Sequence, residues 1–395
     1  MGEQIYRYHS LVVITRTDER VLGYARYTDG VDRAELARAL DLPRPTVVSS
    51  VGRLMTQGRL VAVDGERGRA ARGRGRHLVR VSGAAALLGL LAWRHGRLTA
   101  SLYDVRREQL IGIDRDPPDP RSGAEGLMEV VDALVRAAAT IPGSALDTVV
   151  VSVPAPFLRG MGAPREHSSL PGLPRGFHVT NAEDFDTRLA DRFDLTVITE
   201  NNANLAALGE QYARPDRIDN VIYLMIGDDG IGSAVVANGR LARGAHGYGG
   251  ELAHLQLDRN GPLCHCGGRG CLWMAVRDLS LPYSETAGTD PVDLTGLTRL
   301  SDAHDPGAHR LLADIGRMLG RPLGHLSTFL DPEAIIVDAT LGEAVYHIIR
   351  GIAESLAVEA PPVIARNVRL ERSTLGDTAE VRGAFEIVRE AVRRG

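Results

Sequence analysis

The sequence has no lysine, few aromatic residues and only three cysteines in 395 residues. Without lysine, chemistry that needs a lysine nucleophile or a lysine phosphate clamp is excluded, and all 46 basic residues are arginines. Three cysteines are too few, and odd in number, for a disulfide framework. No run of about 18 apolar residues occurs, which excludes a membrane protein. The N-terminus lacks a secretory signal pattern, so we expect a soluble cytoplasmic protein.

Basic charge is concentrated in the first 80 residues. They contain 15 arginines and 9 acidic residues, whereas the other 315 residues contain 31 arginines and 41 acidic residues. The net charge is therefore +6 at the front of the chain and −10 over the rest. This asymmetry is typical of a nucleic-acid-binding module joined to a body with another role.

The segment 32–63 predicts a helix-turn-helix followed by a short strand. It reads DRAELARALDLPRPTVVSSVGRLMTQGRLVAV. The first helix is capped by Asp32 and ends near Asp41, and a second helix begins near Arg44 after a proline. The apolar residues of the second helix are expected on one buried face: Val47, Val48, Val51, Leu54 and Met55.

The second helix has the composition of a DNA-reading helix, because hydroxyls and arginines can reach phosphates and base edges in the major groove. Its predicted DNA-binding residues are Arg44, Thr46, Val47, Ser49, Ser50 and Arg53, so that Val47 belongs to both sets. A glycine and arginine run then contributes Arg67, Arg69, Arg72, Arg74 and Arg76. This run is either a wing whose arginines enter a minor groove or a basic linker. The adjacent helix favours the wing.

The rest of the chain alternates strand-like and helical patterns, which predicts an α/β body of two lobes. We place the winged helix-turn-helix in residues 1–82, the first lobe in 83–200 and the second lobe in 201–377. The C-terminal helix, 378–395, is expected to complete the first lobe. A small-molecule site is expected in the crevice between the lobes.

The three cysteines form the strongest chemical motif. Cys264, Cys266 and Cys271 lie on one glycine-rich turn, where their sulfurs can converge on a metal ion. His254, ten residues earlier, is the natural fourth ligand, and His265 is a competitor. Such a Cys₃His set predicts structural Zn²⁺ with no open position for catalysis.

Three stretches, after a winged helix, resemble the ROK family of repressors, open reading frames and sugar kinases. They read TENNANLAALGE, IGDDGIGSAVVANGRLARGAHGYGGELAHLQLD and CHCGGRGCLW. The resemblance covers essentially the whole chain and implies a body of the actin-like ATPase (ribonuclease H-like) fold. It also implies the metal ligands His254, Cys264, Cys266 and Cys271.

Measured against the kinases of this family, the chain departs at three places. Leu91 and Trp93 stand where the phosphate-binding motif has a carboxylate and a glycine. Asn202 replaces the aspartate that acts as general base, and a neutral amide cannot accept the proton. The residues 337–340 replace the glycine pair that holds adenosine. We therefore expect no catalytic residues, no ATP binding and no enzyme activity.

The family's sugar-binding positions are partly retained, which predicts an effector site. Of the family's sugar contacts, Asn201, Glu251 and His254 are retained, and Asn202 could still form a hydrogen bond with a hydroxyl group. Trp273 stands where the family has a second glutamate, so its indole either stacks on a sugar or fills the pocket.

The expected function is that of a transcriptional regulator, a repressor that binds a palindromic double-stranded operator as a homodimer or tetramer and responds to a sugar-like effector. Two alternatives stay open at this point. One is a sugar kinase with an accessory DNA-binding module, and the other is a constitutive DNA-binding protein with a ligand-free body.

Overall fold

The computed structural model describes residues 14–64, 77–94, 97–115, 124–154, 182–227, 230–264, 266–287, 293–338 and 340–394. The chain forms two compact units, Met1–Ala86 with Arg389–Gly395, and Leu87–Val388. Both sheets of the body belong to the second unit, so the division into lobes at residue 200 stays a prediction. Among the described residues, none of the helices combines the length and the apolarity needed to cross a bilayer.

The first unit is a winged helix-turn-helix. It contains α1 (Arg16–Arg26), α2 (Arg33–Leu40), α3 (Arg44–Thr56), β1 (Leu60–Asp64) and β2 (His77–Val81). Asp32 caps α2 as predicted, its carboxylate accepting from the Glu35 amide at 2.7 Å. The two strands pair antiparallel from Leu60 with Val81 to Asp64 with His77. The sequence predictions did not include α1, which packs on α3.

The final turn of the last helix, α12 (Ala379–Arg394), is grouped with the first unit. Arg389 donates to the carbonyl of Tyr27 at 2.8 Å, and the side chain of Val392 lies against Gly23. The sequence predicts the whole of 378–395 in the body, whereas the structure groups the chain from Arg389 onward with the N-terminal unit, where Val392 packs against its hydrophobic core.

The body contains two five-stranded sheets. The first has the order β5-β4-β3-β6-β7. Its strands are β3 (Ala85–Arg94), β4 (Arg97–Tyr103), β5 (Gln109–Arg115), β6 (Ser144–Val153) and β7 (Thr196–Asn201), and the helices in this part of the chain are α4 (Ala124–Ala139) and α5 (Ala182–Phe193). β3, β4 and β5 form an antiparallel meander, and β6 pairs with β7 in parallel.

The second sheet has the order β10-β9-β8-β11-β12. Its strands are β8 (Val221–Gly227), β9 (Gly230–Ala237), β10 (Arg240–Leu241), β11 (Ala334–Val337) and β12 (Arg369–Arg372). The helices of this region are α6 (Asn202–Ala213), α7 (Leu272–Ala287), α8 (Leu294–Asp302), α9 (Pro306–Leu330), α10 (Val345–Glu359) and α11 (Pro362–Asn367). The predicted α/β class is therefore confirmed.

Candidate nucleic-acid interface, metal cluster and effector residues

A buried carboxylate joins α1 to α3. The side chain of Asp18 is fully buried and accepts hydrogen bonds from Ser50 Oγ at 2.5 Å and from Arg53 Nη2 at 2.8 Å. Asp18 and Thr15 also form the capping box at the start of α1. Because Ser50 and Arg53 lie one turn apart on α3, their bonds to one carboxylate define which side of α3 faces α1.

These hydrogen bonds control the charge state of Asp18. Burial by itself raises the pKa of a carboxyl group. Hydrogen bonds from Ser50, Arg53 and Thr15 favour the charged form, and together they lower the pKa of Asp18 from 3.8 to about 2. The carboxylate is therefore ionised at every physiological pH and pairs with the Arg53 guanidinium.

The rest of α3 faces solvent, with Arg53 at the border between the exposed side and α1. Its exposed residues are Arg44, Pro45, Val48, Ser49, Gly52, Arg53 and Thr56. The Arg53 side chain stays 42% exposed despite its bond to Asp18, and its Nη1 also donates to Ser49 Oγ at 2.9 Å. The other predicted contact on this helix, Thr46, is half-buried.

Two predicted DNA contacts, Val47 and Ser50, are wrong. Both are fully buried, because they lie on the same face of α3 as Val51 and Leu54. Val48 was expected in the core and is instead 52% exposed. With 3.6 residues per turn, the positions 47, 50, 51 and 54 share one face, and position 48 lies about 100° away from 47.

The chain between β1 and β2 connects two hydrogen-bonded antiparallel strands. This is the topological position of a wing in a winged helix. The arginines predicted for it, Arg67, Arg69, Arg72, Arg74 and Arg76, lie outside the described residues.

In the body, His254 and the three cysteines come together. One ligand atom from each of His254, Cys264, Cys266 and Cys271 lies within 4.8 Å of the others. The His254 Nδ1 is 3.6 Å from Cys264 Sγ, and Cys266 Sγ is 3.5 Å from Cys271 Sγ. This arrangement could hold a metal ion. The competing histidine, His265, lies outside the described residues.

Local backbone geometry shapes this cluster. His254 ends a 3₁₀ turn, Leu252–His254, and Cys271 immediately precedes α7. Gly270 has φ of +59° and approaches the Asp258 carbonyl so closely that an added Cβ would lie 1.8 Å from that oxygen. Glycine is therefore the residue that this turn requires. Burial, together with the neighbouring thiols, raises the pKa of Cys271 to about 12.

Asn201 and Asn202 lie where β7 runs directly into α6. The Asn201 carboxamide caps this helix, accepting from the Asn204 amide at 3.1 Å. Beside it, Glu200 is buried and bonded to Arg243, whose Nη2 and Nε each lie 2.7 Å from Oε2. Arg243 was not among the predicted site residues, and its only sequence signal was a basic residue in a glycine-rich stretch.

The other predicted effector residues lie near β9. Asn202 Oδ1 would lie 3.9 Å from a Cβ built on Gly232, and the next residue, Ser233, donates to the carbonyl of Gly250. Glu251 follows directly, and burial raises its pKa to about 7. Asn202 and Glu251 therefore flank the same part of one strand.

Trp273 lies in the hydrophobic core at the start of α7. It is 7% exposed and belongs to the buried cluster that includes Leu252 and Leu272. Of the two roles open for this indole, its burial favours filling space over stacking on a ligand.

A family model described as ROK family matches residues 98–391, more than half of the chain. The chain belongs to the ROK family. The xylose repressor of Bacillus spizizenii is 30% identical over 214 residues, which cover 53% of this chain and 56% of that protein. The chain thus spans about half the length of the curated relatives that it matches first.

Two solved structures share the fold of this ROK protein. A ROK family transcriptional regulator, described as a homolog of the E. coli MLC protein, has a TM-score of 0.73 and 20% identity and covers 96% of both chains. The ROK hexokinase from Thermus thermophilus has a TM-score of 0.60 and 27% identity, and it covers 78% of this chain and 100% of its own. The resemblance to ROK proteins and the predicted fold are confirmed.

We predict that Asp18→Asn destabilises the N-terminal unit in a pH-dependent way. The lowered pKa of Asp18 stabilises the fold by about 2 kcal/mol above pH 3.8, and this contribution is lost as the pH falls toward 2. Chemical unfolding followed by circular dichroism should give the wild type a larger free energy of unfolding than the variant at pH 6, and this difference should shrink below pH 4. The matched control is Glu19→Gln, an exposed neighbour. A difference in the free energy of unfolding that is equally large at pH 6 and pH 3 would contradict the prediction.

Proposed function

We propose that this chain is a transcriptional repressor that binds operator DNA through its winged helix-turn-helix and responds to a sugar-like effector bound by its body. The observation that carries the proposal is the solvent face of α3. It exposes Arg44, Ser49 and Arg53, and the helix contains no acidic residue. Such a face can reach phosphates and base edges in a major groove. The similarity to a xylose repressor supports a role in carbohydrate metabolism.

Operator binding by one such helix requires a partner subunit. A single recognition helix contacts only a few base pairs, so two helices on a two-fold axis are needed for a specific palindromic site. We therefore propose a homodimer or a tetramer of dimers, acting on chromosomal DNA in the cytoplasm. Effector binding would shift the population toward a state with lower operator affinity, which requires different effector affinities in the two states.

Arg44→Ala should weaken binding to an operator selected from random duplexes. If Arg44 contacts a phosphate, the slope of log affinity against log salt should also fall by about one. Fluorescence anisotropy at several salt concentrations measures both effects. Arg44 is a cleaner target than Arg53, because truncating Arg53 also leaves the buried Asp18 without its cation.

The matched control for Arg44→Ala is Arg366→Ala, which removes one exposed arginine from α11 in the body. Net charge changes equally in both variants, so general electrostatics cannot explain a difference between them. Equal affinities for Arg44→Ala, Arg366→Ala and wild type would refute the placement of α3 in the groove.

We also propose that the body does not transfer phosphate. Leu91, which stands in place of the phosphate-binding carboxylate, is fully buried in the hydrophobic core of the first sheet. Asn202, which stands in place of the general base, is buried and its Oδ1 accepts from the Ala203 amide at 2.8 Å. Asp338 is buried at the end of β11, where the kinases have glycine. These substitutions remove the groups that bind phosphate and accept the proton.

Because this chain is similar to a hexokinase, an assay of phosphate transfer from ATP decides between the repressor and kinase alternatives. With ATP and a panel of hexoses, we expect no ADP production above that of buffer, because the neutral Asn202 amide at the position of the base cannot accept the proton. The Thermus thermophilus ROK hexokinase serves as the positive control. Hexose-dependent ADP production in proportion to the amount of this protein would favour the kinase alternative.

The proposed effector residues suit a hydroxyl-bearing ligand. Carboxamides such as those of Asn201 and Asn202 can both donate to and accept from sugar hydroxyls. Glu251 has a pKa raised to about 7 by burial, so near neutral pH it is present in both forms and can either accept or donate. A neutral polyol fits such a site better than an anion does.

We propose that the group formed by His254, Cys264, Cys266 and Cys271 binds a structural Zn²⁺. A tetrahedral zinc with Zn–S of about 2.3 Å and Zn–N of about 2.0 Å separates two sulfurs by about 3.8 Å, and a sulfur and a nitrogen by about 3.5 Å. In the structure, the Cys266–Cys271 sulfur separation of 3.5 Å and the separation of 3.6 Å between Cys264 Sγ and His254 Nδ1 are close to these values. When bound, the ion would use all four residues and leave no position for substrate.

Replacing single ligands tests both the metal and the fourth residue. Cys266→Ser and His254→Ala should each lose the one zinc per chain that we expect in the wild type, with a lower melting temperature, because metal binding contributes to folding. Inductively coupled plasma mass spectrometry and thermal unfolding measure the two effects. His265→Ala should keep its zinc, and if it alone lost zinc, the assignment of His254 would be wrong.

A further inference from the structure

Val48 is a large apolar side chain on the outer face of α3, where it lies among exposed polar residues. Val48 is 52% exposed, whereas Val47 and Val51 beside it are fully buried. Arg44, one turn earlier, and Ser49 share the same exposed side of the helix. Single exposed apolar residues are common, so the exposure of Val48 alone is not informative. Its position among the exposed polar residues of α3 is the observation that suggests a function.

The position one turn after Val48 is a glycine that the fold does not require. A Cβ built on Gly52 would meet no atom within 4 Å, and the residue is in the middle of a helix, with no positive φ. Glycine in a helix interior costs about 1 kcal/mol relative to alanine. Because residues i and i+4 share a face, the missing side chain leaves open surface next to Val48.

The two features fit one kind of contact in a major groove. Among the groups that base pairs present there, the C5 methyl of thymine is the apolar one, and it is recognised by small apolar side chains. A helix position without a side chain allows the groove edge to come close to the backbone.

We propose that Val48 reads the C5 methyl group of a thymine in each operator half-site, and that Gly52 provides the clearance for this contact. The inference rests on the proposed DNA-binding function and adds a specificity determinant to it. The neighbouring Arg44 and Arg53 supply the positive charge that attracts the duplex, which favours DNA over an apolar protein partner for this face.

Uracil scanning tests the proposal, since deoxyuridine differs from thymidine only by the absent methyl. The operator is first selected with wild-type protein, and each thymine is then replaced in turn. We expect one position per half-site at which the replacement weakens wild-type binding roughly fourfold, the effect of one buried methyl-sized group. Val48→Ala should bind the unmodified operator about fourfold more weakly and be insensitive to uracil at that position.

Two further variants complete the test. Val358→Ala, which truncates a valine that is 81% exposed on α10, should keep the full uracil sensitivity of the wild type. Gly52→Leu should bind the operator at least tenfold more weakly without a lower melting temperature, because leucine favours helix and meets open space.

The possible results separate the two proposals. If the protein selects an operator but no thymine shows the methyl effect, or Val48→Ala keeps it, the inference about Val48 is wrong and the DNA-binding function stands. If no duplex is bound in preference to others at moderate salt, the proposed function fails and the inference fails with it.

Discussion

The orientation of α3 depends on one buried carboxylate. A charge removed from water must be neutralised and hydrogen-bonded, and Asp18 meets this requirement only when Ser50 and Arg53 face α1. A helix that packs on one side presents a determined set of residues on the other. The outward position of Arg44, Val48 and Ser49, on which the proposed DNA interface rests, is therefore a consequence of this interaction.

A comparable buried acid organises the body. Glu200 accepts from Arg243, from the side chain of Asn204 at 2.8 Å and from the backbone amide of Asn201 at 3.0 Å. It thus holds the end of β7, the start of α6 and the segment after β10 in one arrangement. Desolvation offsets much of the attraction within such a buried ion pair, so the pair is weak evidence for net stability. The asparagines proposed for the effector are positioned in this way.

The body has a fold that it shares with a ROK hexokinase, and its side chains depart from the kinases of the family at positions on which the proposed function depends. Leu91 takes part in the core of a sheet, and Asn202 replaces an acid with a neutral amide of nearly the same shape. Such substitutions preserve the fold while removing charge from the site. Such substitutions fit the proposed sensing role, in which a polyol would be bound and released unchanged.

Most of the features that the sequence by itself determined depend on the spacing of residues that are close together in the chain. The two helices of the helix-turn-helix, the Asp32 cap and the cluster of three cysteines each depend on residues close together in the sequence, and the structure agrees with each of them. The period of the apolar residues also predicted that α3 is amphipathic, but five apolar positions could not specify the angle at which it packs. The assignments of Val47, Val48 and Ser50 failed for this reason.

Only the tertiary structure decided the long-range polar contacts. Asp18 and Ser50 are 32 positions apart, and Glu200 and Arg243 are 43 apart. From the sequence alone, a charged residue is expected at the solvent-exposed surface. Its neighbours in the sequence do not reveal that a distant residue neutralises it in the core. The helix periodicity limited α3 to a few possible rotations. The buried Asp18 selected one of them, since any other would leave its charge without the Arg53 cation and the Ser50 hydrogen bond.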